Sequence, residues 1–491
     1  MNTGTLENKR AISWSKTWLS QSGRWRVLVV VGALVAAAVL GRAPSRMVLV
    51  LLAVAGGGLF VLKQDVRNLL LAFPAVALFV PFQINTGTEV SLNAAVLGVI
   101  GLVILGIIQK SFHRDWRLVP SRLYRPLIAL SIVSILSLFV GNITWDLSVP
   151  RPPNMLLVQI GQLAIYFLSF LMFWFTAFMI SDLSWLRRLT YALIITGGVG
   201  MVLVLFSTLL GVRLPVNSMM LNMFTVWLVP LTFVMIGADP ELTAQKRRLL
   251  VGALALAVAA IAWIWFIRAD WIGGWGPPMV ALGILLWFRY PRLRIPIVLV
   301  ALTILIFIGA EAFLLTFDFD LEEKWDISGG SRVTLWRSVI ELASPRPLLG
   351  LGIAAYRHYH FLKPLAYGRA LWIRPTVSAH NMFVDMFAQM GILGLACYLW
   401  FLGEALLLAW RLHLKSTGFA RGYALVAFCT LIGIMTADML AATSLPFVYN
   451  MSFPGFRASV VSWMMLGGLV VLENQCNEEH VKLDIASDSN K

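Results

Sequence analysis

Charged residues are scarce in this sequence: they make up 13% of 491 residues, against 59% hydrophobic ones, and the mean hydropathy is +0.81. That leaves too little polar surface to cover a soluble globule, so a water-soluble fold is excluded and a membrane is the required solvent. Acidic residues are scarcer than basic ones, 24 Asp and Glu against 39 Lys and Arg. The resulting formal charge of +15 does not indicate nucleic acid, because the cations cluster in short loops between apolar runs, the positive-inside pattern of membrane proteins. There are three cysteines: Cys397 and Cys429 lie in apolar stretches and Cys476 in the C-terminal tail. They have no metal-like spacing, so we expect no disulfide, no zinc site and no cofactor. A small-residue cleavage site is also missing. The first apolar run starts after Arg24-Trp25-Arg26 and is followed by Gly41-Arg42-Ala43-Pro44, which reads as a retained helix. Neither end carries a lipidation motif, and no inverted repeat of the kind that marks many secondary transporters is visible.

Apolar runs long enough to cross ~30 Å of hydrocarbon recur from Val27 to Leu472. The fold class is therefore an all-α polytopic membrane protein, with about 14 transmembrane helices (12–14) and one large outer loop. The chain divides into a basic cytoplasmic tail (1–26), helices 1–11 (27–316), the large outer loop (317–379), helices 12–14 (380–472) and a second cytoplasmic tail (473–491). Spans are expected at about 27–41, 47–62, 69–84, 92–109, 127–143, 155–181, 189–210, 219–237, 249–267, 274–288, 295–316, 381–410, 423–443 and 457–472. The basic connections at 110–126, 187–188, 246–248 and 289–294 fall inside, and the segments at 85–91, 144–154 and 211–218, poor in Lys and Arg, fall outside. This alternation puts both termini inside and residues 317–379 on the outer face.

At the end of that outer loop, Thr376-Val-Ser-Ala-His380-Asn381 runs into a long apolar stretch. Ser378 is a candidate N-cap, which puts His380 in the first helical turn, where free N–H groups and the helix dipole disfavour an imidazolium. Such a histidine stays neutral and can accept a proton. On an ideal helix His380, Val384, Phe387, Gly391 and Gly394 share one face, and the glycines admit a close neighbouring helix. Asp385 lies about 140° around the helix from His380 and is not an obvious partner for it. The plain alternative for His380 is a polar cap on an ordinary membrane helix.

The outer loop opens acidic, from Asp318 to Asp326, and passes through Ser328-Gly329-Gly330-Ser331 into Arg332-Val-Thr-Leu-Trp336-Arg337-Ser-Val-Ile-Glu341. The second stretch reads as a short amphipathic helix. Arg332 in its first turn would join the free N–H groups of the helix end as an anion site, and Trp336 would anchor the helix at the interface. The plain alternative is a solvated surface helix. Arg268, at the outer end of the run from 249, either snorkels to lipid phosphate or meets an anionic ligand, with Asp270 a potential ion-pair partner. Arg213 and Arg457 are further outward cations. His358 and His360 alternate on the loop and are not expected to hold a metal.

The spacing His380-Asn381, nine residues, Gly391, two residues, Gly394 resembles the signature of the O-antigen ligase and polymerase superfamily, bacterial membrane enzymes that move a lipid-linked glycan onto an acceptor. The run Ser-Gly-Gly-Ser-Arg332, Trp336 and Pro347-Leu-Leu-Gly350-Leu-Gly352 is similar to a second element of that family, with Ser331 where the family has glycine. Arg268 resembles its Ser-Arg motif, with isoleucine in place of the serine. The resemblance implies a metal-independent, inverting glycosyltransferase in the inner membrane. Its donor is a polyprenyl-diphosphate-linked glycan and its acceptor a glycan or lipid hydroxyl. Arg332 and Arg268 would bind the diphosphate and His380 would act as general base, with a role in binding the diphosphate as its alternative. The competing class is a transporter or flippase of a lipid-linked sugar or anion. Transport requires a site open to each face in turn, and the candidates here all fall on the outer face.

Overall fold

The computed structural model describes residues 65–85, 91–114, 116, 119–211, 218–268, 272–299, 302–303, 330–362, 365–367, 370–372, 378–449 and 452–488. The expected spans at 27–41 and 47–62, most of that at 295–316, the acidic opening of the outer loop, Arg213, Asp270 and the side chains of Arg268 and His360 lie outside the described residues. The chain divides into two compact units, Met1–Leu69 and Leu70–Lys491. In the first, the Asp65 carboxylate pairs with the Arg67 guanidinium at 2.6 Å.

The elements are α1 (Val66–Phe79), a hairpin of β1 (Gln83–Asn85) and β2 (Ser91–Asn93), α2 (Ala94–His113), α3 (Tyr124–Ile143), α4 (Met155–Met179), α5 (Leu183–Leu210), α6 (Ser218–Ala238), α7 (Ala244–Arg268), α8 (Ile272–Arg289), α9 (Gly330–Ala343), a second hairpin of β3 (Leu365–Tyr367) and β4 (Ala370–Trp372), α10 (Met382–Lys415), α11 (Gly418–Leu440) and α12 (Ser452–Asp488). Both hairpins are antiparallel, with Gln83 opposite Asn93 and Leu365 opposite Trp372. Among the described residues, seven helices are long and apolar enough to cross a membrane: α2, α3, α4, α5, α10, α11 and α12 as far as Glu478. α12 continues as helix to Asp488, beyond the expected end of the last span.

The hydropathy pattern explains the layering. α12 is apolar on all sides, and its spanning window is completely buried, so it forms the centre of the bundle. Trp463 on α12 stacks on Phe401 of α10 (centroids 5.1 Å apart) and meets Phe170 of α4 edge-on at 5.2 Å. Ile128, Ile132 and Phe139 of α3 are instead more than half exposed, a face suited to lipid.

Loops gather at the two ends of the bundle. At one end the Ser121 hydroxyl donates to Glu473 (2.7 Å), the Gln475 amide donates to the Ser181 carbonyl (2.7 Å), and Arg187 pairs with Asp239 and Glu241. At the other end Arg346 donates to the Tyr359 hydroxyl (2.9 Å) and to the Thr144 carbonyl. The segments 144–154 and 344–362, which the charge pattern puts on one face, therefore meet. Two amides of α4 hold the irregular backbone there: Gln159 donates to Ile353 O (3.0 Å), while Gln162 donates to Pro446 O (3.1 Å) and accepts from Val448 N (2.7 Å). Buried side-chain amides are an economical glue for non-helical backbone inside a membrane bundle. Arg457, at the start of α12, is absorbed by structure rather than left for an anion. Its guanidinium donates to the Ala77 and Leu78 carbonyls at 2.8 and 3.0 Å.

Candidate active site

α9 is amphipathic as its sequence requires: Leu335, Val339, Leu342 and Ala343 are buried, while Arg337 and Glu341 pair across one turn on the exposed side. Arg332 is the third residue of the helix, and its Nη1 donates to the Leu440 carbonyl at 3.2 Å. That carbonyl belongs to the C-terminal turn of α11, where helix carbonyls lack intrahelical donors and attract cations. The turn beyond α11 is fixed by Asp438. Its carboxylate accepts from Thr443 N and Oγ1, Ser444 N and Oγ, and the Tyr398 hydroxyl, all within 3.2 Å.

Trp336 follows Arg332 by one turn. Its indole N–H donates to the Ala379 carbonyl at 2.8 Å, so its polar edge fastens the loop before His380. The N-cap of α10 is Asn381 and not Ser378: Asn381 Oδ1 accepts from Phe383 N (2.9 Å) and Val384 N (3.2 Å). His380 therefore precedes the helix, with its backbone in the left-handed region at φ 49°, and Ser378 Oγ accepts its N–H at 3.2 Å. The imidazole is half-buried. Its pKa is pushed down to about 4, first by burial and then by the nearby Arg332 charge. The expected neutral histidine stands, with a different cause: desolvation and a neighbouring cation replace the helix dipole.

The two glycine motifs meet each other. Gly391 has φ 63° and ψ −162°, which breaks α10. In an unbroken helix Ile392 N and Leu393 N would donate to Ala388 O and Gln389 O. They donate instead to Pro347 O (2.8 Å) and Leu348 O (3.3 Å), while Ala388 O and Gln389 O accept from Leu351 N (2.9 Å) and Gly352 N (3.1 Å). Ser137 Oγ on α3 also donates to Gln389 O at 2.6 Å. Gly350 and Gly352 have φ 66° and 106°, and a Cβ on Gly350 would lie 2.7 Å from Ala388 O. A Cβ on Gly391 would overlap the Leu348 backbone. The expected helix–helix seam through Gly391 and Gly394 is thus corrected. The partner at Gly391 is the 347–352 loop, a Cβ on Gly394 would meet Met390 of its own helix, and His380 is not on that face.

Arg268 is the last residue of α7. His358 Nε2 lies 2.8 Å from the Tyr449 hydroxyl, and among the described residues no three His, Cys, Asp or Glu side chains are grouped as metal ligands. Sequence reasoning missed Tyr356, whose hydroxyl donates to Asp385 Oδ1 at 2.5 Å and accepts from Ala379 N at 3.0 Å. The separation of about 140° between Asp385 and His380 holds only for a helical His380, and His380 precedes the helix. With α10 starting at Met382, a carboxylate in its first turn was the available signal.

Fold and site together define a multi-pass α-helical membrane protein with a neutral histidine within electrostatic range of a guanidinium at one end of its bundle. Residues 242–399 match the family model described as O-Antigen ligase, a span from the start of α7 into α10 that contains Arg268, Arg332, both glycine motifs and His380. Over those residues, less than half of the chain, the protein is similar to the O-antigen ligase/polymerase superfamily. No curated protein matches the chain.

Proposed function

We propose that this protein transfers a polyprenyl-diphosphate-linked glycan to an acceptor hydroxyl, as an O-antigen ligase or a polysaccharide polymerase does. In this reading the site opens at the outer face of the bacterial inner membrane and both termini are cytoplasmic. The reading is supported by the way α9, which carries Arg332, is fastened by the Trp336–Ala379 hydrogen bond to the loop that presents His380, with the guanidinium within electrostatic range of the imidazole. Arg332, in the first turn of α9, binds the diphosphate together with Arg268 at the end of α7. His380 takes the proton of the acceptor hydroxyl as its oxygen attacks the anomeric carbon. The glycosidic C–O bond breaks with its electron pair leaving on the diphosphate, and a single displacement inverts the anomeric centre. The two guanidiniums offset the growing charge, so the step does not require a divalent metal.

The low pKa of His380 suits this order of events. An arriving diphosphate neutralises the field of Arg332 and adds negative charge, both of which raise the basicity of His380 once the donor is in place. The test is transfer in vitro from a purified polyprenyl-diphosphate glycan. His380→Asn should lower turnover by about a hundredfold or more with donor binding retained. Arg332→Ala should lose donor affinity, and Arg332→Lys should recover little, since a point charge does not replace a planar fork. Near-normal transfer by folded His380→Asn protein would overturn the assignment of the base.

A further inference from the structure

We propose that Tyr356 and Asp385 are positioning residues for His380: a buried hydroxyl–carboxylate pair that holds the Ala379–His380 backbone in the turn presenting the imidazole. The inference rests on the reading of His380 as the proton acceptor. A left-handed backbone is costly for a non-glycine residue and persists only where the surroundings over-determine it. Here they do. Ala379 N donates to both Tyr356 Oη (3.0 Å) and Asp385 Oδ1 (3.3 Å), Ala379 O accepts from the Trp336 indole (2.8 Å), and His380 N is taken by Ser378 Oγ (3.2 Å).

The pair is built to hold rather than to exchange protons with solvent. Tyr356 and Asp385 are buried, and burial together with the Asp385 charge pushes the Tyr356 phenol well above its ordinary range, so it stays a donor. The Tyr356 ring stacks on Phe447 at 5.1 Å, in the segment after α11, and the Leu440 carbonyl that receives Arg332 ends that same helix. One pair therefore fixes the base relative to the backbone that holds the anion-binding group. Simple packing would need no hydroxyl, because phenylalanine fills nearly the same space at 356.

The experiment measures kcat, donor KM and the pH profile of the purified full-length protein, with folding followed by thermal melting. Tyr356→Phe should lower kcat by about tenfold or more with donor KM within about twofold, because sub-ångström to ångström displacement of a reacting group costs that much. A loosened turn also admits water to His380, so the acid limb of kcat/KM should move upward toward the ordinary histidine range, a change that lost packing elsewhere would not produce. Asp385→Leu should behave like Tyr356→Phe. Asp385→Asn, which keeps an acceptor oxygen for both donors, should stay within about threefold of the parent protein. An unchanged kcat and acid limb in Tyr356→Phe overturns the inference, as does an Asp385→Asn protein as inactive as Asp385→Leu. The isosteric Asn variant decides the matter alone if the other two do not fold. Inactive His380→Asn beside fully active Tyr356→Phe sinks this inference only, whereas fully active His380→Asn sinks the base assignment itself.

Discussion

His380 is kept neutral by two independent causes, and they respond differently to substrate. Burial acts in every state, while the Arg332 field is cancelled once an anion sits on the guanidinium. The sign of the pH dependence follows. In the free enzyme the base form is lost only as pH falls toward about 4, so kcat/KM should be flat through neutrality and decline on the acid side near that value. In the donor complex the bound negative charge favours the imidazolium, so the acid limb of kcat should lie at higher pH than that of kcat/KM. Steady-state profiles of the purified enzyme check both statements, and coincident limbs would mean that no anion reaches the Arg332 field. The histidine and the arginine are legible in the sequence because each sits in a short motif with a characteristic spacing. Tyr356 is not, because its meaning lies in two contacts, with Ala379 and Asp385, that only the folded loop creates.

At the scale of elements, the site is organised by one broken helix. Two hydrogen bonds within α10 are exchanged for four to the loop 347–352, and the exchange locks α9, the loop and the start of α10 into one body. Membrane interiors leave no water to satisfy freed backbone groups, so a break of this kind survives only where protein supplies the partners. Gly391→Ala should therefore cost more than an ordinary helix substitution. The residue needs φ near +63° and its Cβ would overlap the Leu348 backbone, so we expect at least about 2 kcal/mol of destabilisation, or no folded protein, together with lost transfer. Thermal melting of the variant in detergent against Gly403→Ala checks this, since a Cβ at Gly403 meets nothing within 4 Å. Equal melting temperatures would refute it. The spacing of Gly391 and Gly394 is plain in the sequence, yet it reads as a helix–helix seam, because small residues three or four apart have that meaning in most membrane helices. Nothing local to α10 reveals that its partner is a loop some forty residues upstream. The positive φ at Gly350 and Gly352 belongs to the same lock, and it becomes interpretable only once the two motifs are seen together.

At the scale of the whole molecule, among the described residues, hydropathy locates helices such as Tyr124–Ile143 and Met155–Met179, expected at about 127–143 and 155–181, because a membrane makes apolar length the dominant constraint. It gave no hint of the hairpins at 83–93 and 365–372 or of the polar fasteners Gln159 and Gln162, whose partners are carbonyls and amides far away in sequence. The charge pattern predicts a direction for the bundle, and the proposed function depends on it, since the proposed diphosphate-linked donor, presented at the outer face, can be used only if α9 and His380 open there. Leu147 and Phe361 lie exposed among the segments 144–154 and 344–362, which meet at the end that carries the site. Arg122 and Lys415 lie exposed among the basic connections at the other end. Single cysteines at these four positions, in a chain whose Cys397, Cys429 and Cys476 have been replaced, should divide cleanly under a membrane-impermeant maleimide applied to spheroplasts. Leu147→Cys and Phe361→Cys should label in intact spheroplasts, and Arg122→Cys and Lys415→Cys only after the membrane is opened. Labelling of the reverse pair would put Arg332 and His380 at the cytoplasmic face, where the proposed donor is not presented, and the reading of outward glycan transfer would have to be abandoned.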